Sequence, residues 1–278
     1  YRTGAVHPAI SSGDLYSLIP ELSEMARIEP EILFSLSSEN LEPDHWSTIA
    51  EKVGRDVKRG VRGVVITMGT DTMGYTAAAL TFALEGIPLP VFIVGSQRSS
   101  DRPSSDAYLN LIGAVSCAVS AEFSGVFVVM HSDTSDDKLA IHVGTRVRKN
   151  HTSARDAFES IGLEPVAFWS RSGLQVTSTS LRERAPSSSF NPRTKFDKNV
   201  ALVKFYPSMP PTIISSLTNS GVKGIVLEGT GLGHVNRNNM EVIAEAVKKK
   251  VIVCMTSQCI WGRVDMNVYD NGRDLLKA

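Results

Sequence analysis

Val64-Val65-Ile66-Thr67-Met68-Gly69-Thr70-Asp71-Thr72 joins an apolar, β-branched run to a glycine, then to a hydroxyl, a carboxylate and a second hydroxyl. A helix-forming stretch, Tyr75-Thr76-Ala77-Ala78-Ala79-Leu80, follows at once. The pattern predicts a buried parallel strand that delivers polar groups to its C-terminal end, where open α/β sheets place their ligand sites. Two readings of Thr70-Asp71-Thr72 stand side by side at this point. A threonine beside an aspartate suits an activated nucleophile next to a group that holds an amine, and Ser, Thr and Asp are equally the preferred N-caps of helices.

Outward from this stretch, apolar runs alternate with helical patterns, which predicts a mostly parallel sheet wound on both faces. Val91–Val94 ends at glycine like Val64–Met68, and the alanine-rich 76–84 helix between them is closed by Glu85-Gly86-Ile87-Pro88. A helix over 105–120 and a strand over 125–130 come next. Alternation recurs at 141–147 and 166–169. Arg182, Glu183, Arg184, Pro186 and Ser187 to Ser189 mark an exposed linker. Beyond it lie a strand at 200–205, a helix at 212–219, a strand at 224–227, a helix at 238–248 and a strand at 251–255. The expected organisation is a larger domain over 1–185, a linker over 186–195 and a smaller α/β domain over 196–278, with no internal repeat.

The 278 residues suffice for two domains. Twenty-nine basic residues balance 29 acidic ones, which removes any global pull toward nucleic acid or anionic membrane. No apolar run approaches the ~20 residues of a bilayer-spanning helix. Three cysteines, an odd number, fit a reduced, cytoplasmic setting. Cys254 and Cys259 lack the spacing and companion ligands of a zinc site and read as core thiols. Tyr1-Arg2-Thr3-Gly4 reads as the middle of a loop, and Leu275-Leu276-Lys277-Ala278 stops in a helical pattern, so a piece of a longer protein is expected.

Other clusters carry weaker chemistry. The polar stretch from Gly95 to Asp106 follows a parallel strand and so shares an edge with Thr70, and Ser37-Ser38-Glu39-Asn40 is a possible third contributor. Arg146-Val147-Arg148-Lys149 places three cations at the end of an alternating strand, readable as a solvated face, a phosphate patch or a lysine drawn into a pocket for proton transfer. Gly229-Thr230-Gly231-Leu232-Gly233 has the spacing G-x-G-x-G and lacks the full dinucleotide-binding pattern. His7, His45, His131, His142, His151 and His234 show no metal spacing and read as surface or satisfied core residues.

Gly69-Thr70-Asp71-Thr72-Met73 resembles an active-site motif of the L-asparaginase family. The longer string through Leu80, the run from Gly95 to Asp106, Val147-Arg148-Lys149-Asn150-His151-Thr152-Ser153 with Arg155-Asp156-Ala157-Phe158, and Val200–Pro207 are similar to one branch of it, the D subunits of archaeal glutamyl-tRNA(Gln) amidotransferases. The resemblance implies a doubly wound, mostly parallel α/β domain followed by a smaller α/β domain. It implies that Thr70, Asp71, Lys149 and Tyr1, the tyrosine of a mobile loop, are catalytic. Ser38 and Glu39 would meet the α-carboxylate and α-amine of the substrate, and Ser96 its amide.

The implied activity is glutamine hydrolysis that supplies ammonia for converting Glu-tRNA(Gln) to Gln-tRNA(Gln). This polypeptide would need no cofactor. ATP and Mg would be used by its partner, the amidotransferase E subunit, which would also hold most of the tRNA. A homodimer within a heterotetramer is expected. A free-standing cytoplasmic L-asparaginase and an inert assembly module are the alternatives. Two departures stand out. The family's first catalytic threonine, in a Thr-Gly-Gly-Thr-Ile motif, and the first strand would precede Tyr1, so the piece alone is expected to be silent. Leu232 also stands where asparaginases carry an asparagine that reaches the neighbouring protomer.

Overall fold

In the computed structural model, residues 19–186 and 190–277 are described. They form two compact units, the first ending at Phe196 and the second beginning at Asp197. Tyr1, His7 and Ser187 to Ser189 lie outside the described residues.

In the first unit, helix α1 (Pro43–Lys58) precedes strand β1 (Val64–Thr67). Its start is a capping box, in which the Glu42 N–H donates to His45 Nδ1 at 2.9 Å. Helix α2 (Met73–Ala83), strand β2 (Pro90–Val94), helix α3 (Ala107–Ser120) and strand β3 (Phe123–His131) follow. Strands β1, β2 and β3 pair in parallel, with Val64 opposite Val91 and Val91 opposite Val126. Because successive side chains of a strand face opposite ways, the apolar set divides in two. Phe92, Val94, Phe127 and Val129 pack with α3, and Val91, Ile93, Val126, Val128 and Met130 pack with α1 and α2. Helices on both faces make the sheet doubly wound, as the alternation predicts.

The parallel order stops at β3. Strands β4 (Lys138–Val143), β7 (Ala167–Ser170) and β8 (Gly173–Val176) extend the sheet antiparallel, and β9 (Arg182–Glu183) pairs antiparallel with the start of β3. The sheet is therefore mixed rather than mostly parallel, since short turns such as 132–137 join neighbours directly where a parallel pair needs a crossover helix. The single strand expected over 141–147 is also two elements. The chain turns at Gly144 and then forms a separate hairpin of β5 (Val147–Lys149) and β6 (Phe158–Ser160). A Cβ at Gly144 would lie 2.5 Å from Thr81 Oγ1 and 2.9 Å from Ala77 O, so helix α2 fixes this turn.

Part of the stretch read as an exposed linker is anchored to the first unit. Phe190 is buried, Pro192 packs on Gly54, and the Arg193 N–H donates to Ala83 O at 2.7 Å. The second unit holds three parallel strands, β10 (Val200–Lys204), β11 (Gly224–Gly229) and β12 (Ile252–Ser257). Helices α4 (Thr212–Asn219), α5 (Met240–Lys248) and α6 (Asp270–Lys277) contribute Ile214, Ile243, Ala246 and Leu275 to a core around Ile225 and Leu227. Cys117 is a core thiol, pushed up to about 12 by burial. Cys254 and Cys259 are exposed, contrary to the expectation from their apolar neighbours. Cys254 lies on the same outward face of β12 as Ile252, which is exposed too.

Two outcomes follow from this packing. At Gly113 a Cβ would fall 2.2 Å from Leu139 Cδ1 and 3.0 Å from Trp169, so Gly113→Ala should lower stability by about 1–3 kcal/mol in urea titration. His142 is buried, with Nδ1 2.8 Å from Ser160 Oγ, and burial pushes its pKa down to about 4. The unfolded chain therefore takes up this proton first, near pH 6.5, and stability should fall as pH drops from there toward 4, by up to about 3 kcal/mol from this group. Urea midpoints measured at pH 7, 6 and 5 should show the decline, and His142→Gln should flatten it.

Candidate active site

Strand β1 ends where its pairing with β2 runs out, and Met68 N–H still donates to Val94 O at 3.0 Å. Two glycines then let three backbone segments converge. A Cβ at Gly69 would sit 2.9 Å from Ser38 Cβ and Oγ. One at Gly95 would sit 2.5 Å from Met68 O and 3.1 Å from Thr70 Cγ2. No real side chain tolerates the shorter of these distances, so the segments at Ser38, Thr70 and Ser96 meet only because both positions lack a side chain.

Thr70 is 8% exposed. The Lys149 ammonium donates to Thr70 Oγ1 at 2.8 Å and to Asp71 Oδ1 at 2.7 Å. The lysine side chain is 13% exposed and that of Asp71 is 70% exposed, so the cation is drawn inward while the carboxylate keeps an open side. Hairpin β5–β6 delivers Lys149, whose strand passes over the start of α2: a Cβ at Gly74 would lie 3.2 Å from Val147 O. Arg146 and Arg148 stay exposed, which leaves Lys149 as the drawn-in cation of the three.

The helix-cap reading fails in detail. The N-cap of α2 is Thr72, but its hydroxyl makes no capping bond and donates instead to Ser38 O at 2.8 Å. Ser38 is buried in a 3-10 turn over Ser38–Asn40, and Glu39 beside it is exposed. Ser96 is half-buried, directly after Gly95. Of the predicted site residues, Thr70, Asp71 and Lys149 are thus in direct contact, Ser38 packs on Gly69, and Ser96 adjoins the Gly95 approach. Tyr1 lies outside the described residues.

Sequence reading passed over the support beneath Ser96. Asp106, 1% exposed, precedes α3 without capping it, and its carboxylate accepts the N–H groups of Gln97 at 3.0 Å and Arg98 at 2.8 Å. Asn110, one turn later, donates to Gly95 O at 2.9 Å. An Asp-x-x-x-Asn pair opening a helix after a polar loop was the available signal. In the glycine-rich 229–233 turn the N–H groups of Thr230 and Gly233, with that of His234 beside them, are bonded within the turn. Among the described residues, no group of three or more His, Cys, Asp or Glu could hold a metal ion, and no helix is long and apolar enough to cross a membrane.

A buried threonine hydroxyl held by a lysine at the mouth of a parallel sheet is equipped for nucleophilic attack on a carbonyl with proton transfer. The chain is 50% identical over 279 residues to the glutamyl-tRNA(Gln) amidotransferase D subunit of Pyrococcus furiosus and 48% identical to that of Metallosphaera sedula. Each alignment takes in 100% of the chain and 63% of the relative, so the chain spans under two thirds of their length. Among solved structures, the thermostable L-asparaginase from Thermococcus kodakarensis superposes with a TM-score of 0.80 at 30% identity, over 97% of this chain and 79% of that one. The probable cytoplasmic L-asparaginase from Campylobacter jejuni gives 0.81 at 28% identity, over 96% and 83%. The model of the asparaginase N-terminal domain matches residues 1–182, and that of the glutaminase/asparaginase C-terminal domain matches 199–278. With one family model matching residues 1–182 and the other 199–278, the chain belongs to the asparaginase family.

Proposed function

We propose that this chain is the glutaminase part of a tRNA-dependent amidotransferase, releasing ammonia from glutamine for the conversion of Glu-tRNA(Gln) to Gln-tRNA(Gln). The observation that carries the reading is the contact of Lys149 with both Thr70 and Asp71, on a chain half identical to an archaeal amidotransferase D subunit.

In this reading a threonine hydroxyl attacks the side-chain amide carbon, and Lys149 and Thr70 form the proton-transfer pair. Asp71 offers its open side to the substrate's α-amine, since Lys149 occupies only Oδ1. Ser38 and Glu39 take the α-carboxylate and α-amine region, and Ser96 the amide. Tyr1 is a further catalytic residue in this reading, as the resemblance implies. The amidotransferase E subunit is the partner, binding most of the tRNA and using ATP and Mg, in a heterotetramer built on a homodimer of this polypeptide. No cofactor is required here, and the setting is the cytoplasm. The similarity to two L-asparaginase structures favours a second reading, a free-standing asparaginase. The ratio of kcat/KM for glutamine to that for asparagine, measured with and without the E subunit, separates the two.

In the full-length protein, Thr70→Ala should lower glutamine turnover by two or more orders of magnitude, on the order of 3 kcal/mol in barrier, with far less change in glutamine affinity. Retention of most activity would reduce Thr70 to a packing residue. Lys149→Arg keeps the charge but gives up no proton, so steady-state assays should show a loss of similar size. Asp71→Asn should act chiefly on KM, raising it about tenfold or more.

A further inference from the structure

Behind the wall that carries Ser96, polar side chains from separate segments join end to end, with Asp106, Asn110 and His131 buried and Asp136 beyond them exposed. Asn110 Nδ2 donates to Gly95 O and to Asp106 Oδ2, both at 2.9 Å. Those two acceptors fix the orientation of the amide, so Asn110 Oδ1 accepts from His131 Nδ1 at 2.7 Å. His131 ends β3 fully buried, and its Nε2 lies 3.1 Å from Asp136 Oδ1 in the turn before β4. Arg155 donates through Nη1 to the same carboxylate oxygen and through Nη2 to Ser104 O at 2.7 Å. Ser104 holds a left-handed φ of 57°, and Arg155 itself belongs to the loop that follows Lys149. The series thus starts at the backbone of Gly95, Gln97 and Arg98 and ends in the segment after the active-site lysine.

Such a series is not needed to fill a core, where apolar groups of the same volume serve as well or better. Each member here contacts the next, so loosening the inner end leaves buried polar atoms of Asp106, Asn110 and His131 without partners, while at the outer end Arg155 holds the exposed Asp136 carboxylate against His131. We propose that Asp106, Asn110, His131, Asp136 and Arg155 are positioning residues that set the Gly95–Arg98 wall, and with it Ser96, against the loop that follows Lys149, with Arg155 as the outer clamp. The proposal rests on the amidohydrolase reading of the Thr70 site for its kinetic effect, and on geometry alone for its effect on the wall.

The test uses the full-length protein and two readouts. Arg155→Ala should raise KM for glutamine about tenfold while kcat stays within about threefold. Arg155→Lys, which still reaches Asp136, should restore KM to within about threefold of wild type. Amide hydrogen exchange at Gln97 and Arg98 should quicken about tenfold in Arg155→Ala and return toward wild type in Arg155→Lys. Asp136→Asn serves as the second variant should Arg155→Ala fail to fold, with the same two expectations. Unchanged protection of Gln97 and Arg98 in a folded variant overturns the proposal, whatever the turnover. Quickened exchange in a protein that never hydrolyses glutamine supports the tether and counts against the amidohydrolase reading alone. A KM that stays at the wild-type value in an active, folded variant overturns the kinetic role.

Discussion

At the ends of β1 and β2 the backbone runs so close to its neighbours that a methyl group would not fit: a Cβ on Gly95 would stand 2.5 Å from Met68 O, and one on Gly69 2.9 Å from Ser38. The closeness is set by the parallel register that places Thr67 opposite Val94, since paired strands lie about 5 Å apart. Everything placed at this edge inherits that register. Thr70 is pressed against the Gly95 segment, Thr72 is tied to Ser38 O, and the start of α2 is fixed where hairpin β5–β6 passes over it.

Within that frame the charges are arranged unequally. Lys149 is drawn inward while Asp71 remains largely exposed. An exposed pair alone would contribute little to stability, and an isolated inward cation would be costly. The carboxylate offsets the desolvation of the lysine while one of its oxygens stays open to solvent. The same two residues that fit an amide-cleaving role therefore also make each other's placement tolerable.

Much of this was readable from the chain. The continuous apolar run Pro90–Val94 signals a strand buried on both faces, and the helix before it follows from its alanine-rich stretch. Val64–Thr67, expected to be buried as well, is only half-buried because among the described residues β1 is the edge strand and pairs with β2 alone. Strand direction was not readable beyond β3, because alternation along β4 or β7 is the same whichever way the neighbour runs. Spacing alone did not choose Lys149 over Arg146 and Arg148, since the choice depends on a hairpin whose partner strand lies beyond a loop; the family resemblance supplied it. His131 showed no spacing signal because its partners, Asn110 and Asp136, come from different elements. His142, read only as a surface or satisfied core histidine, is buried, and nothing in the sequence pointed to Ser160.

Lys149 sits on a ribbon of two strands that pair only with each other and belong to neither larger sheet. Two-stranded ribbons have little stability of their own. This one is pinned by the burial of Phe158, opposite Lys149, and by the link from Ser160 to His142. A sub-global opening that lifts the ribbon would withdraw the lysine from Thr70 without parting β1, β2 or β3, at a lower free energy than unfolding of the unit. The chemistry at the sheet edge is therefore less durable than the sheet itself. Because the tie to Ser160 is made by His142, acid acts on one of the two contacts that pin the ribbon as well as on β4, which carries the histidine.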